Sequence, residues 1–332
     1  MRKLLVVILV AAAAWSGYWF VGSSAVERGL TAWFAAQETR GWTADYSSLA
    51  TRGFPNRFDT TIENVELADP ATGLGWSAPF VQILALSYNP TKIILAFPHT
   101  QTIATPAEEI TLDSSQMRAS VAFVPGTDLE LDHLTAVADA VAVSSDTGWG
   151  ATMEQLRFAT RPATGVQHAH DIALAATDIA PSEVLRARLD PAVSLPEKVQ
   201  SITVATTVGF DGPWNHFTLS DAHPKITSLD VTETRIDWGD MSLRAAGRLT
   251  PDANGRAEGE ITVKATEWRQ MVGVAVSLGL VPGGASDRVI RALELMARGT
   301  GDAKVLELPL TFADGRVSLG PVPLGPAPFL VR

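Results

Sequence analysis

The chain has 332 residues, 46% of them hydrophobic, and 26 Lys and Arg against 36 Asp and Glu leave a net charge of −10. This composition excludes a disordered or collagen-like chain and argues against a nucleic-acid partner, which needs a basic footprint. Cysteine is absent, which excludes disulfides, zinc ribbons, thiol nucleophiles and a lipidated N-terminal Cys.

Arg2 and Lys3 precede an uncharged run, Leu4 to Val21, long enough to cross a hydrocarbon core of ~30 Å as a helix. Residues 1–22 therefore read as a transmembrane anchor. The alternative is a signal peptide with Leu4 to Ala14 as its apolar region and Ser23 and Ala25 at a cleavage site. Trp15, Tyr18, Trp19 and Phe20 favour the anchor, because they form an interfacial aromatic belt. The positive-inside rule keeps the N-terminus cytoplasmic and sends the bulk across, into the periplasm of a Gram-negative cell.

Ser24 with Glu27 makes a capping-box pattern, and Val26, Leu30, Trp33 and Phe34 recur at helical spacing up to a Gly41 stop. Residues 23–41 thus form a separate amphipathic helix, resting on the bilayer or, more commonly, on the following domain. Residues 42–332 make one periplasmic β-rich domain. Up to about Ala180 it shows short Val, Ile, Thr and Phe runs separated by turn pairs such as Asp69-Pro70, Asn89-Pro90 and Pro125-Gly126.

A short helix is expected from Pro181 to Leu189. Beyond it, Ser201 to Phe210 alternates with Ile202, Val204, Val208 and Phe210 on one face. A hairpin around Asn254-Gly255 joins Ser242–Leu249 to Ala257–Lys264. Treating Asp314-Gly315 as a type I′ turn pairs Phe312 with Val317 and Leu310 with Leu319. Thr266 caps a helix ending near Gly279, and Ser286 caps another ending before Gly299; Val281-Pro282-Gly283-Gly284 joins them into an αα-hairpin. Gly53-Phe54-Pro55 and Gly209-Phe210-Asp211-Gly212-Pro213 echo one another, each ahead of Trp76 or Trp238. That echo reads either as two similar halves, 42–180 and 197–332, or as turn-residue bias.

Phe80 to Leu86 and Ile93 to Phe97 are apolar on both alternating faces, so both faces of these strands must be covered. Either they lie in the middle of a sandwich, or helices back one face while the other lines an apolar groove for an acyl chain. In the groove reading its lining is Trp76, Phe80, Leu84, Leu86 and Trp238.

Motifs with a mechanism are missing: no Walker A loop, G-x-S-x-G elbow, H-E-x-x-H pair or EF-hand loop occurs. His168 and His170 would share one side of a strand, but no third ligand is near, and His216, Asp221 and His223 form a looser set. Asp128, Glu130 and Asp132 read as a solvated strand edge, and Arg52, Arg57 and Asp59 as ion pairs in a turn. No metal site, cofactor or catalytic residue is expected.

Gly53-Phe54-Pro55-Asn56-Arg57-Phe58-Asp59, Gly75-Trp76-Ser77-Ala78-Pro79 and the closing Leu308-Pro309-Leu310 through Asp314-Gly315 to Leu319-Gly320-Pro321 carry a resemblance. The chain resembles the uncharacterised alphaproteobacterial envelope proteins grouped as domain of unknown function 2125 (DUF2125). This likeness implies an envelope location and no particular activity. Gly247-Arg248-Leu249 through Asn254-Gly255 to Gly259-Glu260-Ile261, then Trp268, is also faintly similar to the terminal segments of AsmA-like envelope proteins. That second likeness implies an apolar β-groove for lipid.

The expected fold is mainly β (α+β): a transmembrane helix, then antiparallel sheets forming a sandwich or an open groove, with an αα-hairpin near the C-terminus. The expected function is non-enzymatic: a membrane-anchored periplasmic protein that binds an apolar ligand such as a lipid, or assists envelope lipid handling. Its expected partners are the inner membrane and a lipid or envelope protein. The alternatives are a protein-interaction scaffold in envelope assembly and, further off, a hydrolase with an unrecognised site.

Overall fold

A computed structural model describes residues 1–332 apart from 192, 216–217, 219–222, 280–285, 298–301, 321 and 332. It is mostly antiparallel β-sheet behind one apolar N-terminal helix, and its chain divides into two compact units. The first comprises Met1–Pro125 and Leu134–Gly148, the second Gly126–His133 and Trp149–Arg332.

One helix, α1 (Arg2–Thr39), runs 38 residues without a break, about 57 Å. No second helix starts at Ser24. Its carbonyl accepts a hydrogen bond from Arg28 Nε within α1, and Glu27 reaches out of the helix to accept the Thr51 backbone N–H at 2.7 Å. The small residues that mimic a cap serve packing. Ser23 is buried, and a β-carbon on Gly22 would come within 2.5 Å of Phe58 Cζ. The helix stops where expected, with Gly41 at φ +88°.

In the first unit β1 (Thr43–Asp45) and β2 (Ser48–Arg52) both pair with β3 (Arg57–Asp69), and β3 pairs along its length with β4 (Leu74–Leu86). β4 then forks. Its C-terminal part pairs with β5 (Asn89–Phe97) and its N-terminal part with β6 (Thr100–Ala104). β5 continues to β8 (Gln116–Phe123), while β6 continues through β7 (Glu109–Asp113) to β9 (Leu131–Ser145). Phe34 of α1, with Leu30 and Trp33, packs on Ile62, Val65, Leu67, Trp76, Val81 and Ile83. The amphipathic stripe therefore covers the sheet.

The second unit is an antiparallel meander in chain order: β10 (Gly150–Pro162), β11 (Ala169–Pro181), β12 (Val199–Phe210), β13 (Ile226–Trp238), β14 (Met241–Pro251), β15 (Ala257–Thr266), β16 (Val305–Ala313), β17 (Arg316–Leu319) and β18 (Val322–Pro326). The pairs Phe312–Val317 and Leu310–Leu319 form as the turn chemistry dictates, with Asp314 and Gly315 both at positive φ. A short helix, α2 (Glu183–Leu189), is capped by the Ser182 side chain. The pair α3 (Trp268–Ser277) and α4 (Ser286–Ala297) closes a core of Trp268, Val272, Leu293, Ala297, Ala265 and Leu306. The N-cap of α3 is Glu267 in the left-handed region; Thr266 ends β15 instead of capping. The expected connector Val281-Pro282-Gly283-Gly284, the Ser286 side-chain cap and Gly299 lie outside the described residues.

Candidate functional site

The open face of the first sheet is set by one irregularity. Along β3 the buried positions are Phe58, Thr60 and Ile62, and then Val65. The alternation slips at Asn64, which adopts φ +49° opposite Pro79, between the pairs Glu63–Phe80 and Val65–Ala78. In β4 the slip puts Trp76 and Ala78 on the same side as Val81 and Ile83, beneath α1. Phe80, Leu84 and Leu86 consequently point to the opposite face.

On that face Leu84 stands across from Ile94 of β5. Leu86 is 41% and Ile94 47% exposed, while Phe80 and Leu84 are partly covered. Polar residues border the stripe: Asp59, Thr61 and Glu63 on β3, and Arg118 and Ser120 on β8. Gln82, inside the stripe, turns its amide to Thr61 Oγ1 at 3.4 Å. The result is a narrow apolar strip with hydrophilic margins on an otherwise folded sheet, the kind of exposed patch that marks a contact site.

The expected site residues separate accordingly. Phe80, Leu84 and Leu86 share the open face. Trp76 lies on the covered face, where its Nε1 donates to Gln101 Oε1 at 3.1 Å. Trp238 belongs to the second unit, is 4% exposed, and donates its Nε1 to the Pro196 carbonyl at 2.8 Å in a core with Leu195, Val199 and Met241. It is enclosed on all sides and lines no open surface. Ile94, absent from the expected set, had a sequence signal: it sits at the same parity as Lys92 in a strand pairing with β4.

The strip ends where α1 meets the sheet. Trp15 Nε1 donates to the Pro55 carbonyl at 3.0 Å, Tyr18 Oη to the Ser87 carbonyl at 2.6 Å, and Trp19 Nε1 to the Arg57 carbonyl at 2.7 Å. Phe54 stacks on Phe20 and meets Trp19 edge-on. The loop joining β2 and β3 is thus clamped by the aromatic belt of the helix. Arg57 pairs with Asp59 at 2.8 Å, as its place beside the turn suggests.

The chemistry-bearing sets do not converge. His168 sits at φ +53° in a turn ahead of β11, so it does not alternate with His170. His170 is buried, with Nδ1 3.3 Å from Thr160 Oγ1, and burial holds its pKa below the ordinary histidine value despite the opposing pull of Asp171. His216 and Asp221 lie outside the described residues. The Asp128–Asp132 stretch is not a continuous strand: Leu129 is at φ +47° and β9 starts at Leu131. Among the described residues no three His, Cys, Asp or Glu side chains cluster to hold a metal ion. In the second unit an open, polar cavity of about 820 Å³ is bordered by Asp252, Arg256, Glu258, Asp314 and Arg316. Its Arg256 is already committed, to the Ala327 carbonyl at 2.7 Å and to the Phe329 ring at 4.2 Å.

A family model described as "Uncharacterized protein conserved in bacteria (DUF2125)" matches residues 19–328. The chain belongs to the DUF2125 family. The match begins at Trp19, the first buried residue of α1, so the docking half of the helix is part of the DUF2125 region together with the sheets. No curated protein and no solved structure matches the chain.

Proposed function

We propose that this DUF2125 protein is a non-enzymatic, single-pass protein of the inner membrane, with a cytoplasmic N-terminus and its bulk in the periplasm. On this reading it holds the apolar chain of a lipid against the open face of its first sheet. The observation that carries it is the strip Phe80–Leu84–Ile94–Leu86, apolar, partly exposed, bordered by polar residues and ending at the anchor helix. A helix with mean hydropathy 2.1 over its apolar window, only 6% of it buried, supports the anchor. The basic Arg2 and Lys3 support its orientation.

The test places a photo-crosslinking amino acid at Phe80 in the full-length protein in its native membrane. Phe80 lies about 20 Å along β4 from Leu86, so adduct formation there reports a lipid held on the sheet. Lipid adducts at Phe80 and Ile94, with none at Ser120, are the expected result. Protein adducts alone would sink the lipid reading and promote the scaffold, in which the same strip docks an envelope protein.

A further inference from the structure

The anchor helix is docked too early to carry the first unit clear of the bilayer. A hydrocarbon core of ~30 Å takes about 20 helical residues. Residues 1–14 are exposed throughout, and Trp15 already bonds the Pro55 carbonyl. From Arg2 to Ala14 the helix rises only about 20 Å. The missing 10 Å or so must come from the segment through Val21, which is the segment clamped to the Gly53–Arg57 loop and to Ser87.

The loop is built for such a place. Non-helical backbone at membrane depth must have its polar groups satisfied by protein. Here the Gly53 carbonyl accepts from Asn56 and Arg57, Pro55 from Trp15 and Ser87, Asn56 from Ser87, and Arg57 from Trp19. The Ser87 carbonyl is taken by Tyr18. The tip exposes aromatic rings, Phe54 at 51% and Tyr88 at 65%, near Phe20 at 60%, with the polar Asn56 and Arg57 at the same loop. Arg52 is exposed next to them, where a guanidinium meets lipid phosphates.

We propose that the Phe54 tip and Tyr88 insert into the headgroup–acyl boundary of the leaflet facing the domain, so that the first unit is held by the bilayer at a second point. This rests on the anchor half of the function proposed above and is independent of whether a lipid occupies the sheet.

The chain has no cysteine, so single spin labels can be placed cleanly in the full-length protein. Phe54→Cys and Tyr88→Cys are reconstituted in vesicles of phosphatidylethanolamine and phosphatidylglycerol. Accessibility to oxygen, which partitions into lipid, is then compared with accessibility to a water-soluble nickel chelate. Leu9→Cys marks the span, and Leu74→Cys, 52% exposed at the far end of β4, marks water. The oxygen-to-nickel ratio at 54 and 88 is expected to be several-fold above that at 74. Ratios at 54 and 88 equal to that at 74, with 9 lipid-embedded, would overturn the inference and leave the anchor intact; a water-like 9 would overturn both. Tyr88 makes no ring contact with the helix aromatics, so its label reports even where Phe54→Cys loosens the clamp.

Discussion

Gly22 of α1 lies against the ring of Phe58, with no room for a β-carbon: one placed there would approach Cζ to 2.5 Å. Phe58 is only 5% exposed and packs against Tyr18 and Trp19, so its ring yields only by displacing them. Gly22→Leu is therefore expected to lift the helix from the sheet and cost about 1–3 kcal/mol, as overpacking does. The gain in helix propensity, about 1 kcal/mol relative to glycine, does not offset this. Thermal unfolding in detergent and protease sensitivity near Ser23 measure it; an unchanged melting temperature would contradict the close packing.

Trp33 presents the opposite case, since its Nε1 is buried without a hydrogen-bond partner. Burying an unmatched donor costs about 1–3 kcal/mol. Trp33→Phe removes the donor and keeps an aromatic ring beside Phe34, so stability should hold or rise. A fall of more than about 2 kcal/mol in a denaturant titration would mean that lost ring volume dominates.

Histidine 170 makes the second unit acid-sensitive in a defined window. Burial depresses its folded-state pKa below 6.5, so between that value and 6.5 the unfolded chain binds more protons than the folded one. Its contribution is complete above pH 6.5 and is lost as pH falls through the folded pKa. His170→Gln, which keeps a partner for Thr160, should flatten the fall in melting temperature as the pH drops below 6.5. An unchanged slope would rule out His170 as the group responsible.

Asp190 acts lower on the scale. Its burial opposes the charge, but the Leu195 N–H at 2.8 Å, the Ser194 hydroxyl at 3.0 Å and nearby Arg186 outweigh it and hold the carboxyl below 3.8. Stability from this group is present above pH 3.8 and lost as pH falls through the depressed folded value. Asp190→Ala strands the Leu195 N–H and frees the loop between α2 and β12, an expected loss of about 1–3 kcal/mol at pH 7. The gap between the wild type and the variant should narrow as pH falls through the folded pKa.

Ile94→Asp separates binding from folding. At 47% exposure the substitution should change stability by no more than about 0.5 kcal/mol. The lipid adduct at Phe80 should nevertheless disappear, because a charge then sits in the middle of the strip. Retention of the adduct would place the lipid elsewhere.

What could be read in advance, and what could not, follows from how far each signal reaches. The Asp314-Gly315 hairpin was legible to the residue because a two-residue turn fixes register locally. The unbroken helix was not, because Gly22, Ser23 and Ser24 look like a cap or a cleavage site until Phe58 is placed against them. Trp76 lies on the face opposite Phe80 for a related reason. Strict alternation carries it to the side of Phe80, whereas the left-handed turn of Asn64 resets the count. Pro79 opposite it, unable to donate to the ladder, was the available warning. Trp238 stood at a strand end in the sequence and revealed nothing of Pro196, whose carbonyl it meets across 42 residues.

Because α1 enters the sheet without a linker, the first unit behaves as a flag fixed to its mast. Glu27 pins the helix to Thr51 and the belt pins it to the loop, so any tilt or rotation of the apolar segment turns the open strip of the first sheet with it. One residue inserted between Ala14 and Trp15 would swing that strip by about 100° around the helix axis relative to the spanning turns and raise it by about 1.5 Å. The direction in which the sheet faces along the bilayer is thus written into the phase of a helix.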